Sequence, residues 1–526
     1  MNRKVIIGTR GSDLALWQAN YVKDQLAKAG LDAELKIIKT QGDSILNLRL
    51  DKLEGKGFFT KELEESLLNG SIDLAVHSHK DLPTTNPPGL IIAAVSERED
   101  PADILLILKD CVDVKQKLSV KYGGMVGTSS NRRKAQLLAL RPDLEVESLR
   151  GNVPTRIQKL RDEDYDAIML AKAGVERLGI DLSEFYVEEL EPNEFVPAPA
   201  QGVLAIQVRE NDKDLFDKLQ IIHNADIAEQ ISVERKVLNL FNGGCHMPLG
   251  CYCRKENGKF QVWTSKAQSD EDFPDRHFIE TESTEGLAEK IVAKFDPKRK
   301  FPGTVFITRD VPESSYLRKA LQKHNIALEG KSLIRTFPTI NKLDPYILRH
   351  VDWIFFSSKN AIEYFFKLTP DVGKKTKLGV LGRASEDTLR RYGRVPDFNG
   401  EEEGIDTVDI AVQFARAANG STVLFPGAKD SMRTVQQAMS SSTKVIELPV
   451  YETVIEERVE PSGAEILIFT SPSNVEAYFQ DNLLQPGQKV ICIGRSTGKK
   501  FDEMGVKYTL PYSPDEIGLA EAVFAL

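Results

Sequence analysis

Ile72-Asp73-Leu74-Ala75-Val76-His77 runs straight into Ser78-His79-Lys80-Asp81-Leu82-Pro83. The first six residues form an apolar run of strand length; the next six are polar and closed by proline. A strand that delivers a polar loop at its carboxyl end is the unit of an open α/β sheet, which places its ligands there. Lys4 to Gly8 reads as a strand, Leu14 to Ala29 as an amphipathic helix and Glu34 to Lys39 as a second strand, and Ala167-Ile168-Met169-Leu170-Ala171 repeats the apolar-strand pattern. The alternation predicts an α/β fold. The charged turn Arg98-Glu99-Asp100-Pro101 and the proline-rich return Val196-Pro197-Ala198-Pro199-Ala200 mark crossings between two lobes, the second inserted in the first. From Asp214 to Lys294 a helix is followed by strands, which predicts a small third domain with Cys245 on the loop between them.

A length of 526 residues exceeds one hydrophobic core and predicts several domains. Hydrophobic content of 41% with 28% charged residues is that of a globular chain, and no segment approaches the ~20 apolar residues of a membrane span. The apolar stretch at the start is too short for a signal peptide, so a cytoplasmic location is expected. Five cysteines without framework spacing point to reduced thiols, and a net charge of -9 argues against nucleic-acid binding. The clearest boundary is Phe295-Asp296-Pro297-Lys298-Arg299-Lys300-Phe301-Pro302-Gly303, charged and without apolar periodicity. Beyond it lies an internal repeat: Trp353-Ile354-Phe355-Phe356-Ser357-Ser358-Lys359-Asn360-Ala361 recurs as Leu467-Ile468-Phe469-Thr470-Ser471-Pro472-Ser473-Asn474-Val475. Val380-Leu381-Gly382-Arg383-Ala384-Ser385 likewise matches Ile491-Cys492-Ile493-Gly494-Arg495-Ser496-Thr497. Two pseudo-equivalent α/β domains follow, linked by extended segments near Arg335 to Ile340 and Leu448 to Thr453.

Basic and hydroxyl residues concentrate in a few loops of the first half: Thr9-Arg10-Gly11-Ser12, His77 to Pro83, Gly127-Thr128-Ser129-Ser130-Asn131-Arg132-Arg133, and Leu149-Arg150-Gly151-Asn152 with Arg156. Downstream comes Gly243-Gly244-Cys245-His246-Met247-Pro248. Together these segments resemble porphobilinogen deaminase (hydroxymethylbilane synthase). The second half, with its Ser-rich strand-to-helix turns and Val450-Tyr451-Glu452-Thr453, is similar to uroporphyrinogen-III synthase. The two resemblances imply periplasmic-binding-protein-like lobes plus a small α+β domain, then two α/β domains of the synthase type. They place deaminase domain 1 at 1–98 and 199–216, domain 2 at 99–198, domain 3 at 217–294, a linker at 295–302, synthase domain 1 at 303–336 and 452–526, and synthase domain 2 at 337–451.

The deaminase resemblance implies a dipyrromethane cofactor covalently bound through Cys245, and Asp81 as the carboxylate that stabilises a cationic azafulvenium. It implies carboxylate-binding roles for Arg10, Arg132, Arg133, Arg150, Arg156 and Arg177, with Ser12, Lys80, Thr128, Ser129, Ser130 and Gly151 beside them. Arginine suits this work because its planar fork pairs bidentately with carboxylates. Asp43, Lys56 and Phe59 fall where the family has mobile loops. In the second half, Ser358, Ser471, Ser496 and Thr497 are candidate binders at helix starts, and Tyr451 matches the family's suggested proton donor. Serine before a helix also serves as an N-cap, and an aspartate after a strand as a cap or salt-bridge partner. The residues Cys251, Cys253, His246, His77 and His79 lack the two-plus-two spacing of a structural zinc site, so no metal is expected. Partners are then pyrrole and tetrapyrrole molecules only, with neither nucleic acid nor membrane, and the chain is expected to be a monomer. Two other readings stay open on sequence alone: a two-lobed anion receptor, and a deaminase whose second half only docks or regulates.

Overall fold

The computed structural model describes residues 4–40, 60–244, 246–400, 407–456 and 458–526. The chain divides into two compact units, Met1–Val112 with Val120–Arg299, and Asp113–Ser119 with Lys300–Leu526. Both are mixed α/β. No helix among the described residues is long and apolar enough to cross a membrane.

Two five-stranded sheets of matching topology build most of the first unit. One has the order Ala33–Ile37, Val5–Thr9, Leu74–Ser78, Leu204–Arg209, Leu90–Val95; the other Glu145–Glu147, Met125–Gly127, Ala167–Ala171, Asp103–Ile107, Tyr186–Leu190. In each, three parallel strands meet an antiparallel fourth, Leu204–Arg209 and Asp103–Ile107 respectively. Those two antiparallel strands flank the crossings between the lobes, which occupy residues 96–102 and 191–203. Central strands are nearly continuous apolar runs because helices cover both faces; Ile7, Leu74, Val76, Ile206 and Val208 pack with Val22 and Leu26 of the helix Asp13–Lys28. Ser12 caps that helix by accepting the Ala15 N–H.

The third part of this unit is the helix Ala225–Leu240 packed on an antiparallel sheet of Leu249–Glu256, Lys259–Lys266 and Asp275–Thr281. Cys251 and Cys253, two apart on one strand, point into its core and are fully buried. Among the described residues no group of three His, Cys, Asp or Glu side chains could hold a metal. Glu234 of the helix fixes this domain to both crossings: it pairs with Arg98 at 2.6 Å and accepts the N–H groups of Ala200 (2.6 Å) and Cys253 (2.8 Å). With no exposure at all, this carboxylate is stable only because every oxygen has a donor.

In the second unit one sheet is wholly parallel, in the order Ala327–Gly330, Thr304–Ile307, Ile466–Phe469, Lys489–Cys492. The other runs Ile334–Pro338, Lys444–Ile455, Thr422–Ala428, Trp353–Phe356, Lys377–Val380, Phe398–Asn399. The twelve-residue strand Lys444–Ile455 serves two partners. Its first part pairs in parallel with Thr422–Ala428, and its last part pairs antiparallel with Ile334–Pro338. Tyr451 sits at the changeover, opposite Ala428 on one side and Pro338 on the other, just past a register shift.

Candidate active sites

In the first unit the strand Leu74–Ser78 ends in a single 3-10 turn, His79–Asp81, which sends three successive side chains in three directions. His79 is buried, and burial beside Arg235 pushes its imidazole down to about 3. The Lys80 ammonium donates to Gln201 Oε1 at 3.1 Å. Asp81 is exposed. Burial pushes Lys80 down to about 8 despite the opposing pull of Asp81, and Arg132, Arg133 and Asp103 are near enough to act on it. The Arg156 guanidinium, pushed down to about 10 by burial, is pressed further by Arg133 and Arg150 while Asp81 opposes the shift. These couplings bring Lys80, Asp81, Arg133, Arg150 and Arg156 together, three sequence segments converging at strand ends of both lobes.

Local structure explains the loops. Gly151 has φ +116°, and a Cβ there would lie 2.7 Å from Thr155 Cγ2, so only glycine lets the Arg150 loop turn into the helix Val153–Arg161. Asn152 caps that helix, and Arg156 Nε donates to the Gly151 carbonyl at 2.8 Å. Ser130 caps the helix Asn131–Leu140, Thr128 Oγ1 accepts the Ser130 N–H, and Ser129 Oγ donates to the Leu149 carbonyl. All three hydroxyls therefore shape the loop. Ser12 does the same at its own helix, and Arg10 follows the strand Val5–Thr9.

Three arginines of the expected set have partners within the chain. Arg132 and Arg133, 5% and 6% exposed, both grip Asp103, with bonds of 2.7 Å from each. Burial alone would raise the Asp103 carboxyl, but the two guanidinia hold it well below the carboxylate range. Arg177 donates to the Gly202 carbonyl at 2.7 Å and lies over the Trp17 ring, bracing the second crossing. In each case a carboxylate or carbonyl brought in from a distant segment accepts from the guanidinium.

In the second unit Ser358 and Ser471 cap the helices Lys359–Lys367 and Pro472–Phe479 at matching positions of the repeat. Thr497, 1% exposed, lies in the first turn of the helix Arg495–Glu503, while Ser496 beside it is exposed. Tyr451 is 7% exposed, its hydroxyl 3.2 Å from Ser358 Oγ, and burial raises its phenol above the ordinary value. Arg309, after the strand Thr304–Ile307, pairs with Glu516 at 2.9 Å.

Residues 5–217 match the family model described as porphobilinogen deaminase, dipyromethane cofactor binding domain, and residues 331–521 match that of uroporphyrinogen-III synthase HemD. The porphobilinogen deaminase of Oceanobacillus iheyensis is 49% identical over 252 residues, covering 48% of this chain and 80% of that protein. That of Fusobacterium nucleatum is 46% identical over 265 residues, 50% of this chain and 87% of that protein. The chain belongs to the porphobilinogen deaminase family. A uroporphyrinogen-III synthase domain follows the deaminase domains. Among solved structures, the uroporphyrinogen-III synthetase of Helicobacter pylori is 17% identical with a TM-score of 0.32, covering 43% of this chain and 99% of that one.

Four candidates of the deaminase half, Cys245, Asp43, Lys56 and Phe59, lie outside the described residues. The residue after Cys245 is placed: the His246 carbonyl accepts Asn131 Nδ2 at 2.8 Å, next to Arg132. Gly243 is tightly enclosed, since a Cβ there would meet Leu238 Cδ1 at 2.6 Å and Met247 Sδ at 2.8 Å.

Sequence reasoning missed Asp103 and Gln201. Gln201 donates to Asp103 Oδ1 at 2.9 Å and accepts from Lys80, so one amide ties the His79–Asp81 turn to the arginine pair across the crossings. An aspartate opening the apolar strand Asp103–Ile107 was the available signal. In the synthase half, Ser385 is the repeat counterpart of Thr497 and is likewise buried, 6% exposed, so the repeat itself pointed to it.

The depressed Lys80 sets an expected pH dependence. The charged form exists below about pH 8 and is lost as pH rises through that value, so deaminase kcat/KM should fall on the alkaline side with an apparent pKa of about 8. In Lys80→Arg, which stays charged, that limb should vanish; initial rates of porphobilinogen consumption from about pH 6 to about pH 10 read it.

Proposed function

We propose that this chain performs two consecutive steps of tetrapyrrole (haem) biosynthesis. The first unit joins four porphobilinogen molecules head to tail into hydroxymethylbilane, releasing ammonia. The second closes hydroxymethylbilane to uroporphyrinogen III, inverting the last ring and losing water. The observation that carries the first step is the meeting of Asp81 with Lys80, Arg133, Arg150 and Arg156.

The cations press on one another, which fits a group rich in acetates and propionates. Dipyrromethane, held through Cys245, would supply the free pyrrole carbon to which the first substrate is joined. Arg150 and Arg156, with Arg10 and Lys80, hold side-chain carboxylates by charge-assisted hydrogen bonds. Arg132 and Arg133 act one step back, keeping Asp103 ionised so that Gln201 can orient Lys80. Asp81, exposed at the tip of a rigid turn, accepts hydrogen bonds from pyrrole N–H groups. Its charge opposes the positive charge that develops on porphobilinogen as ammonia leaves, and it moves the proton released when the rings couple.

In the synthase domain Ser358 Oγ accepts the Ala361 N–H, which leaves its own proton for Tyr451 Oη. The Tyr451 proton is then available to the departing hydroxyl of hydroxymethylbilane. Ser471, Ser496, Thr497 and Ser385 bind substrate carboxylates alongside helix N–H groups. The same reading keeps the chain a cytoplasmic monomer whose partners are pyrrole and tetrapyrrole molecules.

Intact mass under denaturing conditions tests the first activity. The purified chain should carry the extra mass of a dipyrromethane, add pyrrole steps on brief exposure to porphobilinogen, and lose both in Cys245→Ala. A chain whose mass never changes, even after incubation with hydroxymethylbilane, would overturn the deaminase reading. For the second activity the product should be uroporphyrinogen III; the symmetrical isomer alone would reduce that half to a noncatalytic domain.

A further inference from the structure

Tyr451 is placed by a second tyrosine. The Tyr364 ring, on the helix Lys359–Lys367, stacks on Tyr451 with centroids 5.3 Å apart and planes 16° from parallel. Its hydroxyl donates to the Thr336 carbonyl at 2.7 Å and lies 3.0 Å from Thr336 Oγ1. Thr336 belongs to Ile334–Pro338, the strand whose Pro338 pairs with Tyr451 and whose Thr336 pairs with Thr453. Lys367 Nζ approaches the Tyr364 ring at 4.9 Å, one helical turn further on.

The arrangement answers a problem the strand pairing creates. Tyr451 stands where one strand leaves the six-stranded sheet's interior and becomes half of a two-stranded ribbon, and a two-stranded ribbon has little stiffness of its own. Ser358 fixes only the phenol oxygen. The ring plane, which sets where the hydroxyl proton points, is fixed by the stack. Because Ser358 caps the helix that carries Tyr364, one element holds the ring and the oxygen together, and the Tyr364 hydroxyl holds the ribbon to that element.

We propose that Tyr364 is a positioning residue for ring closure, clamping Tyr451 and the Thr336 strand so that the Tyr451 proton faces the departing hydroxyl. The proposal rests on Tyr451 being the proton donor. It separates two functions of one side chain: the ring orients Tyr451, and the hydroxyl secures the ribbon.

Synthase kinetics on the full-length chain test it, with hydroxymethylbilane as substrate and the isomer ratio as product readout. Tyr364→Leu removes both functions and should lower kcat roughly tenfold with KM within about twofold, so more product is the symmetrical isomer. Its alkaline limb should move to lower pH, because the Tyr451 phenol loses part of the burial that raises it. Tyr364→Phe keeps the stack and should fall between Tyr364→Leu and the unsubstituted chain. Deaminase turnover, measured on the same preparations, should not change, and the retained KM for hydroxymethylbilane shows the second unit folded. Tyr364→Leu combined with Tyr451→Phe should be no slower than Tyr451→Phe alone. If Tyr451→Phe is slow but Tyr364→Leu matches the unsubstituted chain in kcat and pH profile, the positioning role is wrong. If Tyr451→Phe itself retains full activity, the proton-donor reading fails and takes this proposal with it.

Discussion

Asp81→Asn is expected to lower deaminase turnover by on the order of 10²–10³-fold, the usual loss when one electrostatic stabiliser of a charged transition state is removed. Asparagine keeps the size and a hydrogen-bond acceptor but not the negative charge. The developing cation would then face Lys80, Arg150 and Arg156, whose field is repulsive to it and which Asp81 helps to offset. The substitution should therefore damage kcat more than KM, since the arginines that hold substrate carboxylates remain. Stopped assays of porphobilinogen consumption read the rate, and intact mass checks that the variant still carries its dipyrromethane. A variant with full cofactor and turnover within a few-fold of the unsubstituted chain would remove Asp81 from the chemistry.

The largest effect on stability is expected from Asp103→Asn. Asp103 is fully buried and is the shared partner of two guanidinia that are themselves almost fully buried. Deleting the one negative charge leaves two cations facing each other in a poorly solvated site, which costs about 3–5 kcal/mol. For a unit of this size the transition temperature should fall by roughly 10 °C, measured by calorimetry on the full chain. The pH dependence has a definite sign. The folded carboxyl lies below its unfolded value, so its stabilising contribution is present above about pH 4 and is lost as pH falls through the folded value. The variant should lack that acid-side loss. Deaminase activity should also fall, because Gln201 loses the partner that orients it toward Lys80.

Much of the architecture was legible from local pattern. Apolar runs ending in polar loops located the strands Leu74–Ser78 and Ala167–Ala171, and the repeated Ser-Ser and Thr-Ser turns located two capped helices in matching places. These features depend on residues close in sequence: periodicity, caps and turns. Position within the sheets was not legible. Leu204–Arg209 lies between Leu74–Ser78 and Leu90–Val95, more than a hundred residues earlier in the chain, and no local signal reports that pairing.

The same division runs through the sites. The resemblance carried by the loops of the first half and the Cys245 segment named Asp81, Lys80, Arg150, Arg156 and Cys245 as candidates. It could not show that Arg132 and Arg133 share one buried aspartate, since Asp103 lies 29 and 30 residues away. Nor could it connect Gln201 to Lys80, or Tyr364 through Thr336 to Tyr451. Sequence by itself determined which groups are able to bind carboxylates or move protons, a property of each side chain. Tertiary structure alone decided which of them share a buried partner, as Arg132 and Arg133 share Asp103, because burial and charge pairing depend on what distant segments bring within a few ångströms.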